Sequence, residues 1–476
     1  KTAACVGSVR ADGNILSGKG VIVGVIDTGI DIFDNAFRNS DGTTRILNIY
    51  DQTTGEKYDK QSIDEYIRLN EDLSGGTFSY DNAPGVDNIM HGTDVSYIAA
   101  GSLGVAYEAD IIAVKMGYSI NNQFPRTTSL MDAIDYIIRK AIEYRKPVAV
   151  NISYGCNYGA HNGNTLLESF IDDISKSYRC VICVGSGNEA EKAIHFGGII
   201  NTGQVQTAYL SVGEYQSAID IQIWKNYWDT IDVMLINPRG EQIGIITEGR
   251  INRYETYNTE IITLLGEPSP YNIYQEIYIN LIPKTDYILS GIWQIVLMAG
   301  SIRAGEYNIW LPSSQALGYA TAFNNPTADG TITIPATARN CIAVGAYNAY
   351  TNSYAAFSGR GFDNSIRNVN AGVKPDITAP GVDISIARQR GNDITYRNVT
   401  GTSYAVPVVT GAAALLMQWG IVMGNDRFMY GEKLKAALID GSKPVGLVGI
   451  TRNDNQPDPR TGWGAVCLKN TLNKIL

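Results

Sequence analysis

The chain has 476 residues, a length that predicts two or three domains. Its 44% hydrophobic content is enough for a sizeable core, and a net charge of −9 argues against a general nucleic-acid binder, which needs a basic face. No uninterrupted apolar run reaches the roughly 18–20 residues of a membrane span. The nearest, residues 288–300, is too short and reads as strand; no secretory signal is read in the opening residues, and export stays undecided.

Residues 18–31, GKGVIVGVIDTGID, hold a β-branched run without a polar break that ends at Asp27-Thr28-Gly29. Such a run predicts a central parallel strand buried on both faces. Residues 91–101, HGTDVSYIAAG, predict a helix with small residues on one side and a glycine stop. A second buried strand is predicted over 109–117. Residues 129–146 then place Leu130, Ile134, Ile137, Ile138 and Ile142 at helical spacing. A third strand over 147–155, an amphipathic helix over 165–176 and a fourth strand over 180–188 follow. Strand alternating with helix predicts a parallel α/β sheet.

Cys180 and Cys183 form a CxxC inside the fourth strand. Residues three apart on a strand point to opposite faces, so buried, inert thiols are expected there. Six cysteines in the whole chain argue against a disulfide scaffold, and Cys156 reads as a packing residue.

Beyond about residue 200 the period changes to two: Ile219/Ile221/Ile223, Ile231/Val233/Leu235, Ile277/Ile279/Leu281, Trp293/Ile295/Leu297. Turn signals at 237–240, 266–272 and 303–308 separate these runs, predicting an antiparallel β-sandwich or jelly-roll insert. Near 335 the α/β character returns: a strand in 338–348, a proline-punctuated loop over 374–381, a helix opening at Ser403 and another near 431–441. The fold class is therefore α/β, a parallel sheet flanked by helices and interrupted by an antiparallel β domain. Residues 1–198 and 336–476 are the two segments of the first domain and 199–335 the insert.

Ser403 begins a small, apolar, helix-period stretch, which is either a plain helix cap or a nucleophile held at the positive end of a helix. A serine hydroxyl is a poor nucleophile near neutral pH. It needs an imidazole to take its proton and a carboxylate to orient that imidazole. Of the three histidines, His91, His161 and His195, only His91 opens a helix-like segment in a Gly/Thr context. Asp27 ends a buried strand, and ligand sites of parallel α/β sheets fall at strand C-termini. Asn188, at another strand end, offers a side-chain amide to an oxyanion beside the Ser403 N–H. His161 and His195 read as loop or surface residues, His161 within possible reach of substrate. Taken singly, Asp27 is equally a turn former and His91 a helix opener; their joint presence favours chemistry.

VIVGVIDTGID, HGTDVSYIAAG, GSGNE and GTSYAVPVVTGAAALL resemble the four signature blocks of the subtilisin-like serine proteases, the subtilases, in the order Asp…His…Ser. The resemblance covers about residues 7–200 and 335–470. It implies that Asp27 orients the imidazole, His91 is general base and acid, Ser403 is the nucleophile and Asn188 completes the oxyanion hole. NISYG (151–155) resembles the strand that pairs with a bound peptide, implicating Ser153, Tyr154 and Gly155. VGSG (184–187) resembles the segment lining the pocket before the scissile bond, implicating Gly185, Ser186 and Gly187. Extended peptides bind by adding a strand, and glycines leave room for the incoming side chain.

A closer resemblance is to the clostridial germination proteases, the Csp-type subtilases. They carry a jelly-roll insert between the Asn and Ser blocks and cut the pro-form of a cortex-degrading hydrolase in spores. Some are pseudoproteases that act in germinant signalling; here all three triad positions are filled. The resemblance thus implies a serine endopeptidase that activates a zymogen through an acyl-enzyme, with a pseudoprotease or germinant sensor as the alternative. It implies a protein or peptide substrate, the chain's own cleaved prodomain as a second partner, and a spore-associated or secreted location.

Several positions depart from the family pattern. Asp94 stands where most subtilases carry a second histidine, Tyr97 replaces a usual glycine, Tyr404 a methionine, and Gly185-Ser186 a common Ala-Ala. These change packing and pocket shape. No cofactor or metal is expected. Calcium is the one ion the resemblance leaves open, but Asp51, Asp81 and Asp87 form no dense ligand loop. A weaker reading lets Trp224, Trp228, Trp293 and Trp310 stack on sugars, although β cores use the same residues.

Overall fold

The unbroken apolar run at the start of the chain forms β1 (Ile22–Asp27), buried at all six residues, as a strand covered on both faces must be. The structure, a computed structural model, describes residues 2–7, 16–74, 83–117, 126–246, 249–362, 372–390, 393–446 and 457–476. After β1 come β2 (Ile46–Asp51), β3 (Lys57–Asp59), α1 (Lys60–Ser74), α2 (His91–Ala100), β4 (Asp110–Lys115), α3 (Thr127–Tyr144), β5 (Val148–Ile152), α4 (Leu166–Ser177) and β6 (Cys180–Gly185). The helical spacing expected over 129–146 is that of α3, whose Leu130, Ile134, Ile137 and Ile138 are buried while Ile142 is 49% exposed. Helix and sheet approach closely: a Cβ at Gly24 of β1 would lie 2.7 Å from Ile137 Cγ2.

Residues 156–165 and 188–334 form a second unit. It holds β7 (His195–Ile199), β8 (Val205–Val212), β9 (Ile219–Asn226), β10 (Ile231–Ile236), β11 (Gln242–Ile243), β12 (Ile251–Glu255), β13 (Thr259–Leu265), β14 (Tyr274–Pro283), β15 (Gly291–Ala299), β16 (Glu306–Trp310) and β17 (Ala322–Phe323). They make two antiparallel sheets, β12-β13-β14-β9-β16-β7 and β11-β10-β15-β8-β17. The period-two runs fall in β9, β10, β14 and β15 with their apolar residues inward. The longer segment of this unit runs from Asn188 to Ile334, and its first strand, β7, pairs along its length with β16.

Trp293 and Trp310 are each 1% exposed, core residues as β cores use them and not platforms for a sugar, whereas Trp228 is 43% exposed. One expectation fails inside this unit, that His161 and His195 are loop or surface residues. Both are buried, and their rings stack on Trp310 at centroid distances of 4.1 and 4.9 Å. Burial is tolerated because the ring nitrogens find partners: His161 Nδ1 lies 2.7 Å from the Ile332 carbonyl and His195 Nε2 2.9 Å from Asn308 Oδ1.

The chain then completes the first unit with β18 (Ile342–Asn348), β19 (Ser353–Tyr354), β20 (Ile377–Pro380), β21 (Ile384–Arg390), β22 (Asp393–Val399), α5 (Thr402–Met417), α6 (Gly431–Asp440) and α7 (Leu468–Ile475). Its sheet runs β19-β18-β6-β5-β1-β4-β2-β3, with β20 beside β18. The interior pairs are parallel, and only β3 and β19 at the edges run antiparallel. β21 and β22 form a separate hairpin.

Helix α5 is buried at fourteen of its sixteen residues. With its continuation to Val422 it is long and apolar enough to cross a membrane, but 83% of that stretch is buried in the core. The nearest membrane-length segment is thus this core helix and not residues 288–300. Its small residues let it approach α2: a Cβ at Gly411 would lie 3.0 Å from the Ala99 carbonyl oxygen.

Cys180 and Cys183 are free and buried, and burial pushes both thiols up to about 12, leaving them inert as expected. One disulfide, Cys5–Cys467, nevertheless joins the two ends of the first unit.

Candidate active site

Asp27 is the last residue of β1 and 1% exposed. Its Oδ1 accepts from the Thr28 N–H at 2.7 Å and lies 2.6 Å from His91 Nδ1. His91 is the first residue of α2. A buried carboxylate on Nδ1 selects the tautomer with its proton there, leaving Nε2 as the basic nitrogen. Burial, the largest influence on the imidazole, pushes its pKa down; the charge and hydrogen bond of Asp27, with a contribution from Asp87, outweigh it, and the net direction is up.

The approach of α2 to β1 demands glycine. A Cβ at Gly92 would lie 2.3 Å from the Gly29 carbonyl oxygen and 2.9 Å from Asp27 Cβ. Gly92→Ala is therefore expected to push His91 away from Asp27 and lower kcat by about 100-fold, the scale of a 1 Å misplacement. Steady-state kinetics on a peptide substrate checks this, and an unchanged kcat would contradict the close contact.

Ser403 lies in the first turn of α5, where N–H groups have no helical partner. Gly401 precedes this turn at φ 152 and ψ 161, a conformation essentially confined to glycine. Pro407 has no N–H, so the Ser403 carbonyl four residues earlier lacks its helical bond. Ser153 Oγ donates to that carbonyl at 3.1 Å, Asn151 Nδ2 donates to Ser153 Oγ at 2.9 Å, and Thr410 Oγ1 donates to Asn151 Oδ1 at 3.0 Å. Tyr404, next to Ser403, lies with its ring centroid 5.4 Å from that of His91. The strand-end residues Asp27 and Ser153 and the helix-start residues His91 and Ser403 thus meet at one rim of the sheet, through the Asp27–His91, Ser153–Ser403 and His91–Tyr404 contacts.

Ser153, Tyr154 and Gly155 follow β5 and are half-buried. Gly185 ends β6, Ser186 is buried with its Oγ 3.2 Å from Ser358 Oγ, and Gly187 takes φ 89. A Cβ at Gly185 would lie 3.3 Å from Val406 Cγ2, so a larger residue there presses on α5. Asn188 opens the longer segment of the second unit and is half-buried. Among the described residues no group of three or more His, Cys, Asp or Glu side chains is arranged to hold a metal ion. Asp81 lies outside the described residues. Asp51 pairs with Lys115 at 3.4 Å.

Asp87 is no loose loop carboxylate. It is 4% exposed and accepts from the N–H groups of Ile89, Met90 and Thr93 and from the hydroxyls of Thr28 and Thr93 at 2.7–3.2 Å. Thr28 Oγ1 in turn accepts from the Gly92 N–H at 2.9 Å. Asp87 thereby caps α2 and ties its start to the end of β1. An acid four residues before a helix-opening histidine is the only sequence signal for this role.

The subtilase family model matches residues 18–269 and 304–464, most of the chain. A subtilase-type proteinase, RRT12, of Saccharomyces cerevisiae is 33% identical over 128 residues, 26% of this chain and 23% of that protein. Subtilisin E of Bacillus subtilis is 38% identical over 107 residues, 22% of this chain and 24% of that protein. The matches to such curated relatives span about a quarter of their length. The solved structure of the Clostridium perfringens CspB protease superposes with a TM-score of 0.89 at 34% identity, covering 100% of this chain and 96% of that one. A mixed α/β architecture with a parallel-rich sheet, the Asp27–His91 pair at its rim and a family match over most of its length make this chain a member of the subtilase family.

Proposed function

We propose that the chain is a serine endopeptidase that hydrolyses peptide bonds through an acyl-enzyme. The observation that carries this reading is the 2.6 Å contact of His91 Nδ1 with buried Asp27. His91 Nε2 takes the proton of Ser403 Oγ as the oxygen attacks the scissile carbonyl. Asp27 stabilises the imidazolium that forms. The oxyanion develops against the Ser403 N–H and the Asn188 amide, where one such donor is worth about 10²–10³ in turnover. His91 then protonates the leaving amine, and water repeats the sequence to release the acid. Ser153, Tyr154 and Gly155 bind the peptide as an added strand, and Gly185, Ser186 and Gly187 shape the pocket before the scissile bond.

Likeness to the germination proteases supports a finer reading: the substrate is a zymogen cut at few sites in spores, and the two antiparallel sheets are a jelly roll. A sensor without catalysis needs no oriented base. A peptide-library cleavage profile of the purified chain tests the proposal. Cuts at internal bonds within a narrow motif are expected; removal of terminal residues only, or no cleavage, would overturn it.

The base works only when neutral. Since the net shift on His91 is upward, the acid limb of kcat/KM should lie above the ordinary histidine value of about 6.5. Asp27→Asn removes the charge that raises it, so the limb should move to lower pH while kcat falls about 10⁴-fold. A pH–rate profile of both proteins checks the sign; a limb that stays put in Asp27→Asn would contradict it.

A further inference from the structure

Met90, directly before His91, sits at φ 66 and ψ 11. A non-glycine residue holds this left-handed backbone only where its surroundings fix it. Met90 is held from both sides. Its N–H donates to Asp87 Oδ1 at 2.7 Å. Its carbonyl accepts from Arg388 Nη2 at 2.9 Å and from Arg397 Nη2 at 3.4 Å. Both guanidiniums come from the β21–β22 hairpin, and both pair with Asp94, which is fully buried near the start of α2. Arg388 Nε donates to Asp94 Oδ1 at 3.0 Å. The hairpin is seated further by Arg390, 2.6 Å from Asp31, and by the buried Ile386.

We propose that Asp94, Arg388 and Arg397 form a positioning device for the base: they fix the Met90 peptide and, through it, the direction in which His91 presents Nε2 to Ser403. Asp94 is the anion that lets two arginines converge on one carbonyl. A neutral imidazole at this position, as the wider family carries, supplies no charge to hold them together. The departure at residue 94 is thus matched by two arginines some 300 residues away in the chain. The inference rests on the reading of His91 as the base.

The device also sets the charge around His91. The charged and aromatic groups that act on the ring are Asp27 from β1, Asp87 from the loop before α2, Arg397 from β22 and Tyr404 from α5, and the charge of Arg388 is felt at Tyr404. Arg397 opposes protonation of the imidazole. Asp94 variants leave two cations poorly paired and risk misfolding; the Arg397 side chain is 42% exposed, so its loss is compatible with a folded chain.

The test follows phosphonylation by a fluorophosphonate, which needs the base but no knowledge of the substrate. The maximal rate and the half-saturating concentration are measured separately, across pH, for the wild type and for Arg397→Met, Arg388→Met, Asp94→Asn, Arg397→Lys and Ser403→Ala, with thermal melts to establish folding. Arg397→Met and Arg388→Met should lower the maximal rate at least about tenfold, with half-saturation within about twofold. The acid limb of Arg397→Met should shift to higher pH, and Arg397→Lys should recover part of the rate. Folded arginine variants with the wild-type maximal rate and an unmoved limb would overturn the proposal. Labelling of Ser403→Ala at the wild-type rate would instead overturn the reading beneath it, and the proposal with it.

Discussion

Ser403→Ala is expected to lower kcat/KM for peptide cleavage by about 10⁴–10⁶-fold, the size of loss that follows removal of a triad nucleophile. The substitution takes away the attacking oxygen and little else. The residue 403 N–H remains to face an oxyanion, Ser153 Oγ still has its carbonyl acceptor, and alanine suits the first turn of α5 better than serine. The melting temperature should therefore stay within a few degrees of the wild type. Whatever slow hydrolysis persists would come from oxyanion donors and substrate positioning alone. Initial rates on the best peptide from the cleavage profile, with both preparations made identically, give the ratio. Retention of a tenth of wild-type activity in the variant would place the nucleophile elsewhere.

Cys5→Ser is expected to cost about 2–5 kcal/mol of stability, the range typical of a native disulfide. The Cys5–Cys467 bond spans 462 positions. Chain-entropy arithmetic for a loop of that length gives a ceiling of about 6 kcal/mol. The smaller figure is preferred because the same segment is already held. Leu468 N–H donates to the Ala4 carbonyl at 3.0 Å, Lys443 Nζ to the Ala3 carbonyl at 2.8 Å, and Ala4 and Val6 are fully buried. Each such hydrogen bond contributes only about 1 kcal/mol. They do not replace a covalent tie, but they keep the opening segment docked once the disulfide is gone. Denaturant titrations of the wild type, the wild type with reductant and the variant should give one high midpoint and two matching low ones. Three coincident midpoints would show that the bond adds nothing.

Much of this architecture is legible in the sequence because the dominant signals are periodic and local. Strands β1, β4, β5 and β6 are short apolar runs with no polar break, and α3 has its apolar residues at helical spacing, so both announce themselves. The alternation in β9 and β14 marks the switch to antiparallel sheet just as directly. Asp27, His91 and Ser403 stand out for another reason: each lies within two residues of a glycine, at a strand end or a helix start, where the backbone is tightly constrained.

What escapes the sequence is set by contacts distant along the chain. Asp87 looks like any loop aspartate until β1 and α2 fold around it. Arg388 and Arg397 lie on a polar hairpin whose composition suggests a solvated loop, yet their partner Asp94 is about 300 residues away. The Cys5–Cys467 pair has no spacing motif, because its two cysteines stand at opposite ends of the chain. His161 and His195 read as surface residues on polarity alone; Trp310, stacked beside both, is what brings them into a core. The inclusion of residues 156–165 in the second unit is likewise set by tertiary contacts and not by any break in composition.

The most direct measurement is intact-mass analysis of the folded wild-type chain after reaction with a fluorophosphonate, followed by peptide mapping. One adduct per chain on Ser403, lost when His91 is replaced by alanine, is the predicted result. A folded chain that takes up no label, or that carries the adduct on another residue, would contradict the assignment of His91 and Ser403 as base and nucleophile.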